Sequence, residues 1–154
     1  MFGGNHSDGG ARPVRLRDIS AHDEPRIDMH DGELNRVLGG GLVPGSITLL
    51  GGEPGIGKST LTLQTILHLP DMKVMYVSGE ESAHQIKLRA DRLASASVGD
   101  ESAAGRASLD NVSILCETSL EKIFTHIQEQ APGLVVIDSI QTVSYTHLTL
   151  PTNR

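Results

Sequence analysis

Gly52-Glu53-Pro54-Gly55-Ile56-Gly57-Lys58-Ser59 gathers three glycines, a lysine and a hydroxyl into one short run, and Thr60 follows it. The spacing G-x-x-x-x-G-K-[ST] is that of a phosphate-binding loop. Glycines tolerate positive φ, so consecutive backbone N–H groups can turn inward around phosphate oxygens. Where such a loop opens a helix, the helix dipole adds to the attraction for an anion. Lys58 would set an ammonium against the β- and γ-phosphates, and Ser59 would offer its hydroxyl to Mg²⁺. Gly52 through Thr60 are therefore the candidate ATP-binding residues. The bland alternative is a glycine-rich turn with no ligand. Against it, the run lies between an apolar stretch and a string of helix formers, the context that the motif requires.

Two further carboxylate positions complete this chemistry. "LVVID" is an apolar run ending in Asp138. In phosphate-loop proteins an aspartate at a strand end helps hold Mg²⁺, so Ser59 and Asp138 are the candidate metal residues; a turn or helix cap is the competing role. Hydrolysis also needs a group that orients or deprotonates the attacking water. "YVSGEES" supplies Glu80 and Glu81. Ser78-Gly79-Glu80-Glu81 fits a capping box, which gives Glu81 a structural task. Glu80 is then the candidate catalytic residue. The seven histidines and the single cysteine show no compact ligand spacing, so no zinc site is expected. Cys116, at the end of an apolar run, reads as a small core residue.

The elements that must position these groups follow from the apolar pattern. Buried strands are expected at Ile47–Leu50, at Val74–Val77, within "NVSILCE" and within "LVVIDSIQT". Between them, "KSTLTLQTILHLP" and "EESAHQIKLRADRLA" read as helices. A third helix opens at Thr118-Ser119-Leu120-Glu121, a capping-box pattern, and carries Leu120, Ile123, Phe124 and Ile127 as a core-facing stripe. "GELNRVLGGGLVPGS" reads as a short helix stopped by glycine. Residues 1–10 read as flexible, 11–28 as a linker or arm, and 95–108 as a surface loop. Apolar strands alternating with helices imply an α/β fold, a parallel sheet covered by helices.

Composition bounds the function. The chain has 154 residues, enough for one domain. Its net charge of −6 gives no global attraction to nucleic acid, and aromatic residues at 3% leave little for base stacking. No apolar run has the length of a membrane span, and the N-terminus lacks the pattern of a secretory signal. A cytoplasmic setting is expected, with no membrane partner.

Taken in order, "LNRVLGGGLVPGSITLLGGEPGIGKSTLTLQ", "VMYVSGEESAHQIKLRADRL" and "LVVIDSIQT" resemble the ATPase core of the bacterial RadA (Sms) family, DNA-repair ATPases of the RecA superfamily. The resemblance covers roughly residues 14–142. It implies a P-loop NTPase with a RecA-like parallel sheet, of which this chain holds the N-terminal part, so that the sheet is incomplete on its C-terminal side. It also implies ATP and Mg²⁺ as cofactors and Glu80 as the catalytic glutamate. Further implications are a homo-oligomeric ring, contacts to single-stranded or branched DNA made mostly by regions outside this chain, and branch migration of recombination intermediates. The chain departs from the family in three respects. It has no four-cysteine zinc finger, it has no continuation into the rest of the sheet, and Met29-His30 stands where the family has Thr-Gly.

The resulting organisation is a flexible segment over 1–30, the N-terminal part of a RecA-like ATPase domain over 31–142, and a tail over 143–154. "VSYTHLTLPT" back-translates onto the transposase adaptor of sequencing libraries, so the tail is expected not to belong to the gene. On this reading the full-length protein is a DNA-dependent ATPase, and the present chain alone does not turn ATP over. The competing readings are another RecA-superfamily ATPase, clock-type or helicase-like, and a nucleotide-holding module without catalysis.

Overall fold

The computed structural model describes residues 12–19, 25–52, 57–69, 71–96 and 107–144. Three of the four expected strands form: β1 (Val74–Ser78), β2 (Val112–Cys116) and β3 (Leu134–Asp138). They make one parallel sheet in the order β2-β1-β3, with Val74 opposite both Val112 and Leu134, and Ser78 opposite both Cys116 and Asp138. All three strands therefore end at the same edge, which carries Ser78, Cys116 and Asp138.

Because the strand period is two, β1 feeds two separate cores. Val74 and Tyr76 face Leu63, Ile66 and Leu67 of α2 (Lys58–Leu67) and Ile86 and Ala90 of α3 (Ala83–Ala96). Met75 and Val77 face the other way, toward Ile123 of α4 (Leu120–Gln130), with Ile127, Val135 and Ile137 beside them. The result is a three-layer α/β/α arrangement with β1 buried along its whole length. Each fully buried Leu or Ile side chain contributes about 1.5–3 kcal/mol.

The fourth expected strand does not form. Residues 47–50 have no strand partner among the described residues, and Ile47 is 99% exposed. An all-apolar strand is stable only with a neighbouring edge and cover on both faces. The helical layers here are centred on β1, and all of β3 is only half-buried. A strand laid outside β3 would leave its apolar side chains in water, so nothing holds Ile47–Leu50 to the sheet.

Cap chemistry also departs from expectation. At α4 the N-cap is Ser119, and its side chain accepts no cap bond. The Thr118–Glu121 box is displaced because the Glu117 carboxylate takes the Thr118 and Ser119 N–H groups, at 3.0 and 2.9 Å, while the Ser144 carbonyl takes that of Leu120. These bonds hold the Glu117 carboxyl below its ordinary range. Of the expected stripe, Ile123 is fully buried and Leu120 and Ile127 half-buried, but Phe124 is 52% exposed. It lies one position round the helix from Ile123, at the margin of the contact with the sheet.

The short helix α1 (Gly32–Val37) is capped by Asp31, whose carboxylate accepts the Leu34 N–H. Gly39, Gly40 and Gly41 then all take positive φ, as the glycine stop predicts. A Cβ on Gly41 would strike the Ile27 carbonyl. That close approach lets Ile27 and Leu42 exchange backbone hydrogen bonds at 2.8 and 2.9 Å, and Arg26 Nη1 donates to the Leu38 carbonyl. Met29 is buried in the α2–α3 core, so the segment just before residue 31 is part of the packed body. Of the expected flexible segment 1–10, surface loop 95–108 and tail 143–154, residues 1–10, 97–106 and 145–154 lie outside the described residues; Ser95 and Ala96 instead end α3, and Val143 packs beside Met75 and Val77.

Candidate nucleotide site

Gly57 takes φ 77°, ψ 25° and stands immediately before α2, where its carbonyl accepts the Leu61 N–H at 2.9 Å. The left-handed turn that the motif asks of this glycine is thus present, and Lys58 and Ser59 are the first two residues of the helix. The Lys58 ammonium folds back and donates to the Gly52 carbonyl, so the two ends of the loop are tied across residues 53–56. A Cβ at Gly52 would lie 3.2 Å from Lys58 Cδ, which makes glycine the residue that lets the lysine return there. Glu53, Pro54, Gly55 and Ile56 lie outside the described residues. Ser59 and Thr60 are half-buried on the first turn, and Thr62 caps back onto the Lys58 carbonyl.

Asp138 ends β3. The chain then passes through the cis Asp138–Ser139 peptide into a short 3-10 turn, Ile140–Thr142. One carboxylate oxygen of Asp138, Oδ2, accepts a hydrogen bond from the Tyr76 hydroxyl at 2.7 Å. Tyr76 is 0% exposed. Burial, and then this bond to a carboxylate, hold the phenol proton well above the ordinary tyrosine range, so Tyr76 is a fixed donor. Its role was open to inference from "KVMYVSG", since a tyrosine in a wholly buried strand must find a partner for its hydroxyl.

Glu80 follows β1 and is exposed, with no hydrogen-bond or ion-pair partner among the described residues. It lines an open cleft of about 390 Å³ with Ser78, Gly79, Glu81, Ser82, Cys116, Glu117 and Thr118. Lys58 and Asp138 are not among these residues, so the cleft is a β1–β2 feature and Asp138 sits across β1 from it. Gly79 is pinned between them. Its N–H donates to the Asp138 carbonyl at 3.3 Å, and a Cβ there would meet Thr142 Oγ1, with Thr142 Cβ at 2.6 Å.

The expected capping role of Glu81 is corrected. The Ser78 hydroxyl does accept the Glu81 N–H at 3.0 Å, but the true box is one turn later. Ser82 Oγ accepts the Gln85 N–H, and Gln85 Oε1 accepts that of Ser82. The Glu81 carboxylate is instead paired with Arg89 Nη2 at 2.7 Å, because α3 brings Arg89 round beneath the turn. Cys116 is likewise not a core residue. It is the last residue of β2, exposed at the cleft, with Sγ 3.5 Å from the Glu81 carbonyl.

The donor set fits a nucleotide and a hard cation. Mg²⁺ is ordinarily held by one or two protein oxygens together with substrate phosphates. Ser59 and Asp138 offer one hydroxyl and one carboxylate, and the Lys58 ammonium, which among the described residues is satisfied by a backbone carbonyl, is the matching cation for phosphate.

The AAA domain family matches residues 10–146. Among curated proteins, the chain is 50% identical over 141 residues to the DNA repair protein RadA of Halalkalibacterium halodurans, covering 90% of this chain and 28% of that protein. Against the DNA repair protein RadA of Listeria monocytogenes it is 46% identical over 147 residues, 94% of this chain and 30% of that one. Against the protein of the same name in Escherichia coli K12 it is 46% identical over 138 residues, 89% and 27% respectively. The chain thus spans less than a third of the length of these relatives.

Proposed function

The chain belongs to the AAA domain family of P-loop proteins, and from that premise we propose that it is the N-terminal part of an ATP-hydrolysing core in a DNA repair protein. The observation that carries the reading is local. A left-handed Gly57 delivers Lys58 and Ser59 as the first residues of α2, and Asp138 ends a strand of the sheet on which α2 packs. That the relatives above are DNA repair proteins favours this reading over a clock-type ATPase or a helicase of the same superfamily.

In this proposal Lys58 and the N–H groups at the start of α2 bind the β- and γ-phosphates of ATP. Ser59 and Asp138 hold Mg²⁺, which when bound neutralises charge on the phosphate oxygens. Glu80 is exposed and has no partner among the described residues, so its carboxylate is available to accept the proton of the attacking water. Glu81, committed to Arg89, is not. Binding of single-stranded or branched DNA, branch migration, assembly into a homo-oligomeric ring and a cytoplasmic setting belong to the same proposal for the whole protein. The net charge of −6 supports DNA contacts made mostly outside this chain. No helix among the described residues is long and apolar enough to cross a membrane.

The test is steady-state phosphate release from the full-length protein and from this chain, each with and without single-stranded DNA. The full-length protein is expected to hydrolyse ATP, faster with DNA, while this chain binds nucleotide weakly. Absence of Mg²⁺-dependent ATP binding by the full-length protein would overturn the proposal.

A further inference from the structure

We propose that Tyr76 is a positioning residue that orients the Asp138 carboxylate for the metal; this rests on the reading of Asp138 given above. Register provides the geometry. Tyr76 lies opposite Val136, two residues before Asp138, so Tyr76 and Asp138 project from the same face of the sheet, the face that packs on α2. The Tyr76 ring is fully buried and shares one core cluster with Leu63, Ile66 and Leu67 of α2. Its position is therefore set by the helix that begins with Lys58 and Ser59.

The hydroxyl is the only polar atom of that side chain, and it spends its proton on Oδ2 of Asp138 at 2.7 Å. Among the described residues nothing donates to the other oxygen, Oδ1. A carboxylate at a strand end can rotate about its terminal torsion, and its rotamer wells there are broad. With Oδ2 held, Oδ1 is the oxygen left for a cation or a cation-bound water. Groups that orient a metal-binding carboxylate in this way are typically worth 10–100-fold in metal affinity. Phenylalanine would fill nearly the same volume in the core, so packing alone does not call for the hydroxyl.

The experiment uses the full-length protein with Tyr76→Phe, Asp138→Asn, and Tyr76 replaced by 4-aminophenylalanine, which restores an N–H donor at the same place. Binding of ATP is measured by calorimetry over a range of Mg²⁺ concentrations and in EDTA, alongside thermal unfolding. Tyr76→Phe is expected to raise the Mg²⁺ concentration needed for half-maximal binding by about 10-fold or more. Metal-free affinity and the unfolding midpoint should stay close to wild type, and the amino variant should recover the Mg²⁺ dependence. If Asp138→Asn shifts the Mg²⁺ requirement and Tyr76→Phe does not, the positioning role is overturned and the metal role of Asp138 stands. If Asp138→Asn leaves it unmoved, the underlying reading of Asp138 fails and the proposal with it. A Tyr76→Phe protein that does not fold also overturns the proposal, because the hydroxyl would then be structural.

Discussion

Glu80→Gln and Glu81→Gln should produce opposite phenotypes in the full-length protein, and the structure sets the size of each. Glu81 accepts from Arg89 at 2.7 Å, with the two side chains 31% and 22% exposed. Glutamine keeps an acceptor oxygen in place but removes the charge. A hydrogen bond to a charged group contributes about 1.5–3 kcal/mol and a neutral one about 0.5–1.5 kcal/mol. The loss is therefore about 1 kcal/mol of stability, held near that value by partial solvent access to both groups. Glu80 has no partner among the described residues to lose, so its substitution should leave unfolding unchanged while slowing turnover by about 10²–10⁴-fold, the weight of a general base. Urea unfolding and single-turnover phosphate release on both variants read the two effects separately. The reasoning is refuted if Glu81→Gln abolishes turnover while Glu80→Gln leaves it intact.

Lys58→Ala removes the ammonium that ties to Gly52 and would face phosphate; calorimetry should show ATP affinity falling by at least about 1.5–3 kcal/mol for the first charge-assisted bond lost, and unchanged affinity would remove the loop from the site. Gly79→Ala drives a methyl into Thr142, whose own hydroxyl is held on the Ser139 carbonyl at 2.8 Å; overpacking of this kind costs about 1–3 kcal/mol, and adding Thr142→Gly should recover much of it in the unfolding midpoint. The depressed carboxyls of Asp28, which accepts from the His30 N–H and the Asn35 amide, and of Glu117 contribute stability that is present above their unfolded pKa values and lost as pH falls through the folded ones. The unfolding midpoint should therefore drop between about pH 5 and about pH 3, less steeply in an Asp28→Asn, Glu117→Gln double variant; an equal slope in both proteins would exclude these two groups as the source.

Much of the site was readable from residue type because its chemistry is local. Gly57 needs positive φ wherever that motif is built, and the structure gives it 77°. Asp138 had to end its strand because the apolar run ends there, and β3 stops at that residue. What escaped a linear reading depends on residues far apart in sequence. Tyr76 and Asp138 meet only through the β1–β3 register, and Gly79 and Thr142 only through the turn after β3. Glu81 fitted a capping box by spacing, yet the competing partner, Arg89, lies eight positions on and outbids the backbone with a full charge. Cys116 read as core from its apolar neighbours, but a strand-end residue belongs to the edge of the sheet, and at the ends of β1 and β2 that edge lines the cleft.

The one element the pattern promised and the fold withholds, Ile47–Leu50, bears on how nucleotide binding would work. The phosphate loop is anchored on its far side by α2, which is packed against Tyr76 and Val74. On its near side it joins a segment whose Ile47 and Leu49 are exposed and which pairs with nothing among the described residues. Cradle N–H groups stabilise an anion most when they are already aimed at it; otherwise part of the binding free energy is spent on fixing the backbone, at roughly 1–2 kcal/mol per residue ordered. A loop that follows a docked strand therefore binds more tightly than the same loop after a segment that pairs with nothing. Lys58 meanwhile closes onto Gly52, so phosphate must first displace that contact. The apolar residues 47–50 and the half-buried strand β3, whose outer edge pairs with no strand among the described residues, are complementary in chemistry. If further chain covers β3 in the whole protein, docking of that segment becomes favourable, and nucleotide affinity is expected to rise without a change in any of the candidate phosphate-binding residues.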